Sequence, residues 1–175
     1  RTGYTFGGWS SGGQTYLPDD NFTVSAGAVT FTAVWTAQSN TVTFNANYGS
    51  SPSTSTQSIT TDVATSLISN AFTRTGYAFG GWSTINDGTG STFTNGQSVT
   101  VNSDVTLYAK WSALSNTVTF KSNYSGGPSD STQSITTDIS TSLKTLETIG
   151  WTRAGYSFAG WTENSDGTGT SYTNG

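Results

Sequence analysis

The sequence predicts an α+β protein, a tandem run of small modules that are each mostly strand with one short helix. Three observations predict it. A nine-residue motif occurs three times, as RTGYTFGGW at 1–9, RTGYAFGGW at 74–82 and RAGYSFAGW at 153–161. The segments between copies alternate apolar and polar residues with the period of a strand. An acidic residue then precedes a short run whose apolar positions are spaced for helical turns. The motif copies are 73 and 79 residues apart. That is too long for a solenoid repeat whose units lean on their neighbours, and it suits a small domain with its own core.

The rest of the chain obeys the same repeat. Ser39–Leu67 returns as Ser115–Leu143, and Thr30–Trp35 as Thr106–Trp111, both at an offset of 76 residues. Insertions of three residues fall between Trp82 and Trp111 and between Thr117 and Arg153, where loops absorb added length. Residues 1–37 therefore read as the C-terminal part of a first repeat, 38–113 as a complete repeat and 114–175 as a truncated third. The chain opens and closes in mid-repeat, so it reads as a stretch of a longer array.

Within the complete repeat, Asn40–Asn47 places Val42, Phe44 and Ala46 on one face and Thr41, Thr43 and Asn45 on the other, a strand pattern. Tyr48–Ser53 breaks it with Gly, Ser and Pro. Ser55–Thr61 is expected to pair back as a hairpin strand. Asp62 would then cap one or two helical turns carrying Val63, Leu67 and Ile68. In the third repeat Asp138–Ile149 extends this into an amphipathic helix bearing Ile139, Leu143, Leu146 and Ile149. Tyr77–Phe79 reads as a strand bent at Gly80-Gly81, and the Asp-Gly step in Asn86–Gly90 as a turn. Ser98–Val101 and Val105–Trp111 close the module. A mixed sheet on one short helix is β-grasp-like.

Composition narrows the function. Charged residues are 9% of the chain and aromatics 13%, with 21 Gly; about a third of the residues are Ser or Thr. Disordered chains are charge-rich and poor in aromatics, so a folded core is expected. There is no Cys and no His, which removes disulfides, thiol nucleophiles and the usual ligands of zinc or copper. A net charge of −4 without a basic stripe argues against nucleic acid. No apolar run approaches the ~20 residues of a membrane helix. Low charge with abundant Ser, Thr, Asn and Gly, and only six Lys and Arg, points to an extracellular, cell-surface location and resistance to trypsin-like proteases.

The pattern TVTFxxN, GYxFxGW, DGTG and DVTLYAKW, quoted almost in full by residues 40–111, resembles the Listeria-Bacteroides repeat, related to the B-repeat of internalin B. The likeness covers essentially the whole chain in permuted, truncated form. It implies a β-grasp-like module in the stalk of a bacterial or archaeal surface protein, and no catalytic or cofactor residue comes with it. The first copy departs from the pattern in having Val34 where the second has Lys110.

Candidate chemistry is sparse. Arg74, Tyr77, Phe79, Trp82 and Trp111 are the motif residues expected to build the core, with Arg74 placed to lie over a ring. The alternative gives Tyr77, Trp82 and Trp111 to a ligand, as an aromatic platform for carbohydrate. Asp87–Gly90 and Asp166–Gly169 have one acid each, too few oxygens for a calcium loop, and read as turns. No carboxylate pair recurs between copies, so neither a glycosidase nor any other enzyme is expected, and no cofactor. The linkers Thr36–Asn40 and Ser112–Asn116 are short, and Leu114 could pack against a neighbouring module. The expected role is a structural repeat of an extracellular stalk, adhesin or surface filament, with neighbouring repeats as the principal partners. Weak multivalent binding of a glycan or protein, and strand exchange between copies in a filament, are the alternatives.

Overall fold

The computed structural model describes residues 1–174, and it corrects the expected fold class. The regular structure is nearly all strand: β1 (Tyr4–Ser11), β2 (Gln14–Tyr16), β3 (Thr32–Ala37), β4 (Ser39–Asn45), β5 (Thr54–Thr60), β6 (Thr65–Ser66), β7 (Tyr77–Ser83), β8 (Thr92–Phe93), β9 (Ser98–Val99), β10 (Val105–Ala113), β11 (Ser115–Phe120) and β12 (Ser131–Thr136). Among the described residues one four-residue helix, α1 (Leu146–Ile149), follows, then β13 (Trp161–Thr162) and β14 (Ser171–Tyr172). The repeats carry no helix each, and the β-grasp expectation falls with it. Among the described residues no helix is long and apolar enough to cross a membrane.

The reason lies at the two aspartates read as helix caps. Asp62 and Asp138 sit at φ 60° and φ 58°, in the left-handed region, whereas a helix N-cap needs extended backbone. The chain after Asp62 is Thr- and Ser-rich, and those residues favour turns and strands over helix interiors. A side chain then holds it extended. Gln57 donates from Nε2 to the Ser66 carbonyl (2.8 Å) and accepts from the Ile68 N–H (2.9 Å), and β6 pairs with β9. Gln133 holds Ser142 and Lys144 in the same way, at 2.7 and 2.9 Å. Helix survives in the third repeat only beyond that clamp, where Thr145 caps it by accepting from Thr148 N–H (3.1 Å).

The chain divides into two compact units, 1–74 with 79–111, and 75–78 with 112–175. The first contains a five-stranded sheet of order β5-β4-β10-β7-β8, in which β10 runs parallel to β4 and β5 antiparallel to it. Burying one face of β4 explains its alternation: Val42, Phe44 and Ala46 are fully buried. With Ile59, Leu67, Trp82, Leu107 and Ala109 they form the core. The same unit holds a three-stranded sheet, β2-β1-β3. The second unit repeats the β4–β5 hairpin as β11–β12 and the β7–β8 hairpin as β13–β14.

The glycine before each motif Trp is explained by position. Gly8, Gly81 and Gly160 have φ of 116°, 107° and 132°. A Cβ on them would lie 2.6–2.7 Å from the carbonyl oxygens of Tyr16, Phe93 and Tyr172 on the paired strand. Only glycine fits so close an approach at positive φ.

Candidate functional site

The motif residues separate into two groups. Trp82 is 1% exposed and packs against Phe44 (4.8 Å between ring centroids), Phe79 (4.9 Å) and Phe72 (6.2 Å). Phe79 also meets Trp111 at 5.7 Å, and the Trp111 indole N–H donates to the Ala46 carbonyl at 2.7 Å. The arrangement recurs in the second unit, where Trp161 meets Phe120 and Phe158, each at 4.7 Å, and Trp151 at 6.2 Å. Edge-to-face packing of this kind adds to burial and leaves the Trp82 ring no face for a ligand. Arg74 lies 5.7 Å from the Tyr48 ring centre.

Tyr77 belongs to the other group. Its hydroxyl donates to Asp138 Oδ2 at 2.7 Å, and the Tyr4 hydroxyl donates to Asp62 Oδ2 at the same distance. The two bonds are copies of one joint between a motif and the repeat that follows it. Gly3 and Gly76 sit at φ 74° and 77°, and a Cβ on either would come within 2.6 Å of the side chain of Thr61 or Thr137. The carbonyls of the same glycines accept from the N–H groups of Gln38 and Leu114, both at 2.8 Å. Gln38 and Leu114 in turn accept from Thr61 N–H and Thr137 N–H, both at 2.9 Å. Asn40 and Asn116 donate from Nδ2 to the hydroxyls of Thr61 and Thr137, at 2.8 and 2.9 Å. Ser39 bonds Ser58, and Ser115 bonds Ser134, beside them.

A single residue separates the strand that closes one repeat from the strand that opens the next. Gln38 stands between β3 and β4, and Leu114 between β10 and β11. Both backbone groups of that residue are bonded, one backward to the motif glycine and one forward to the Thr-Thr-Asp turn. At the first joint Arg1 completes the set, 3.7 Å above the Tyr4 ring and 3.2 Å from Asp62 Oδ2. The Tyr4 bond, followed by Arg1, holds the Asp62 carboxyl below the usual carboxylate range. The same bond raises the Tyr4 hydroxyl above its ordinary value.

The remaining acids have local roles. Asp87 Oδ1 accepts from Thr89 N–H (2.8 Å) and Oγ1 (2.6 Å), and Asp166 does the same with Thr168 at 2.9 and 2.6 Å, which closes each turn. These bonds, the side-chain one first, lower both carboxyls. Asp104 accepts from the Thr41 N–H at 2.7 Å. Among the described residues no three His, Cys, Asp or Glu gather as metal ligands would.

The joint went unseen in the sequence because its halves lie far apart, Tyr4 from Asp62 by 58 residues and Tyr77 from Asp138 by 61. The available signal was the paired recurrence of Gly-Tyr with a later Thr-Thr-Asp.

Comparisons with known proteins agree with this repeating build. A protein of Evansella cellulosilytica named as a Gly-rich membrane protein is 37% identical over 106 residues, 57% of this chain. The matched part is 12% of that relative's length. No solved structure matches the chain. The divergent internalin B B-repeat domain matches residues 1–39. The Listeria-Bacteroides repeat domain matches residues 41–110 and 117–175, most of the chain, and the chain belongs to that family.

Proposed function

We propose that these repeats form a stiff stalk segment of an extracellular surface protein, holding other domains away from the envelope. One observation carries the reading: the single linker residue at each joint has both its N–H and its C=O bonded. A connection with no free backbone rotor restricts swing, unlike a Gly/Ser tether, so reach grows with the number of repeats. The membership of a repeat family and the membrane-protein name of the relative support a surface location. Weak multivalent binding through Tyr77, Trp82 and Trp111 has less support, since the central ring is 1% exposed and Tyr77 is engaged with Asp138.

Small-angle scattering of the 175-residue chain tests the stalk. A distance distribution fitted by one conformer, unchanged by salt, is expected. Scattering that only an ensemble of freely hinged beads reproduces would overturn it.

A further inference from the structure

We propose that Arg153, Gly155 and Tyr156 form a docking surface whose occupant is the Thr-Thr-Asp turn of another repeat of this kind. The surface occurs in three copies, two of them occupied. At Arg1–Tyr4 and at Gly76-Tyr77 the glycine carbonyl accepts a linker N–H, the tyrosine hydroxyl meets an aspartate, and the glycine lies flat on a threonine.

The third copy has the same form without an occupant. Gly155 sits at φ 77°, beside 74° and 77° in the occupied copies. The Tyr156 N–H donates to the Arg153 carbonyl at 3.2 Å, as Tyr4 does to Arg1 at 3.2 Å. Arg153 lies 3.7 Å above the Tyr156 ring, the distance of Arg1 above Tyr4. Yet Tyr156 is 67% exposed, and a Cβ on Gly155 would meet nothing within 4 Å. The turn, the left-handed glycine and the stacked cation are therefore set before any partner arrives. That is preorganisation for binding, since little ordering remains to oppose it. Arg153 and the Tyr156 hydroxyl offer two donors to one carboxylate.

The occupied copies also define the partner. It needs an Asp in the left-handed region after two threonines, an Asn that fixes the second threonine from the neighbouring strand, and a linker N–H for the Gly155 carbonyl. Both such turns in this chain, at Asp62 and Asp138, are already engaged, so the occupant comes from a further repeat. Directionality follows, because the motif lies late in its own repeat and the turn early in the next.

This inference rests on reading the chain as a run of structural repeats, and nitration of tyrosine by tetranitromethane tests it separately. Tyr156 is expected to react at least 10-fold faster than Tyr4 or Tyr77 in the 175-residue chain. A second copy of residues 97–175 is then appended after Gly175, which continues the third repeat as Gly96-Gln97 continues the second. Tyr156 should slow to the Tyr77 rate, and replacing the Asp of the appended turn by Gly, which suits its left-handed backbone, should restore fast reaction. Tyr156 still reacting fast while Trp161 emission shifts to the blue, the sign of a completed repeat, would overturn the proposal. If that emission does not shift, Asp138→Gly in the unextended chain decides: Tyr77 should accelerate to the Tyr156 rate, and an unchanged rate overturns the proposal. A hinged array with a protected Tyr156 would refute the stalk and keep the docking surface; a stiff array with a reactive Tyr156 would do the reverse.

Discussion

Replacing Gly3 with alanine should open the first joint and leave the second repeat folded. Gly3 holds φ 74°, and an L-residue there costs about 1–2 kcal/mol. The added methyl would lie 2.6 Å from Thr61 Oγ1, 2.7 Å from its Cγ2 and 3.0 Å from the Asn102 carbonyl oxygen. Thr61 cannot step aside freely, being 1% exposed and bonded to Asn40 at 2.8 Å. Displacing it would cost the buried Asn40 amide the shorter of its two bonds, the other going to the Val101 carbonyl at 3.3 Å, at about 1–3 kcal/mol. Opening the joint is the cheaper escape, so the variant loses about 3 kcal/mol from the closed state, roughly 100-fold in the closed-to-open ratio. Native-state hydrogen exchange reads this directly at the Gln38 amide, whose bond to the Gly3 carbonyl is 2.8 Å. Its protection should fall about 100-fold, limited by the stability of the joint itself, while amides deep in β4 and β10 keep theirs. Adding Thr61→Ala removes the clash and leaves only the backbone strain, so the double variant should be milder than additivity from the singles. A wild-type Gln38 exchange rate in Gly3→Ala would refute the reasoning.

Two further outcomes follow from the same geometry. Trp82→Ala removes the ring that Phe44, Phe72 and Phe79 pack against, and urea denaturation followed by circular dichroism should show a loss of about 3–5 kcal/mol in the transition of the second repeat. Asp62 has a lowered folded pKa, chiefly through Tyr4, so its contribution is complete above the ordinary carboxylate value of about 3.9 and is lost as pH falls through the lowered value. Tyr4 is raised, so its contribution is complete below about pH 10 and lost as pH rises through the raised value. The first joint should therefore loosen only at both extremes. Carboxyl NMR titration should show Asp62 moving up toward its ordinary value in Tyr4→Phe.

Some of this architecture was legible and some was not, for physical reasons that particular residues make plain. The β4 face was readable because Val42, Phe44 and Ala46 alternate with polar residues at a spacing that only a half-buried strand explains. The bend before Trp82 was readable from its glycines. The helix after Asp62 was misread because an acidic residue before a spaced apolar pair fits a cap and a left-handed turn equally well. What decides between them is Gln57, a side chain arriving from β5 to bond Ser66 and Ile68. Local periodicity cannot report a clamp delivered by tertiary structure. For a related reason Tyr77 was not legible as a partner of Asp138. Its aromatic neighbours Phe79 and Trp82 turn inward, and nothing within the motif distinguishes a ring that faces its own core from one whose hydroxyl serves another repeat.

That division of labour within nine residues has a consequence for how the array holds together. Phe79 and Trp82 belong to the compact unit of their own repeat, whereas residues 75–78 belong to the unit of the next. Four residues inside one motif thus serve the structure of the repeat that follows. The linker residue from which the next β-hairpin starts is bonded through its N–H to the motif glycine and through its C=O to the Thr-Thr-Asp turn. Stability in such a chain is a sum of module terms and nearest-neighbour terms, and here backbone bonds and a tyrosine–aspartate contact tie each motif to the Thr-Thr-Asp turn that follows it. Hydrogen bonds of this kind each contribute about 1 kcal/mol net, but they are directional, so they fix an angle better than an apolar contact of equal strength would. The proposed stalk needs a fixed angle at each joint more than it needs a strong one, because errors in direction accumulate along an array.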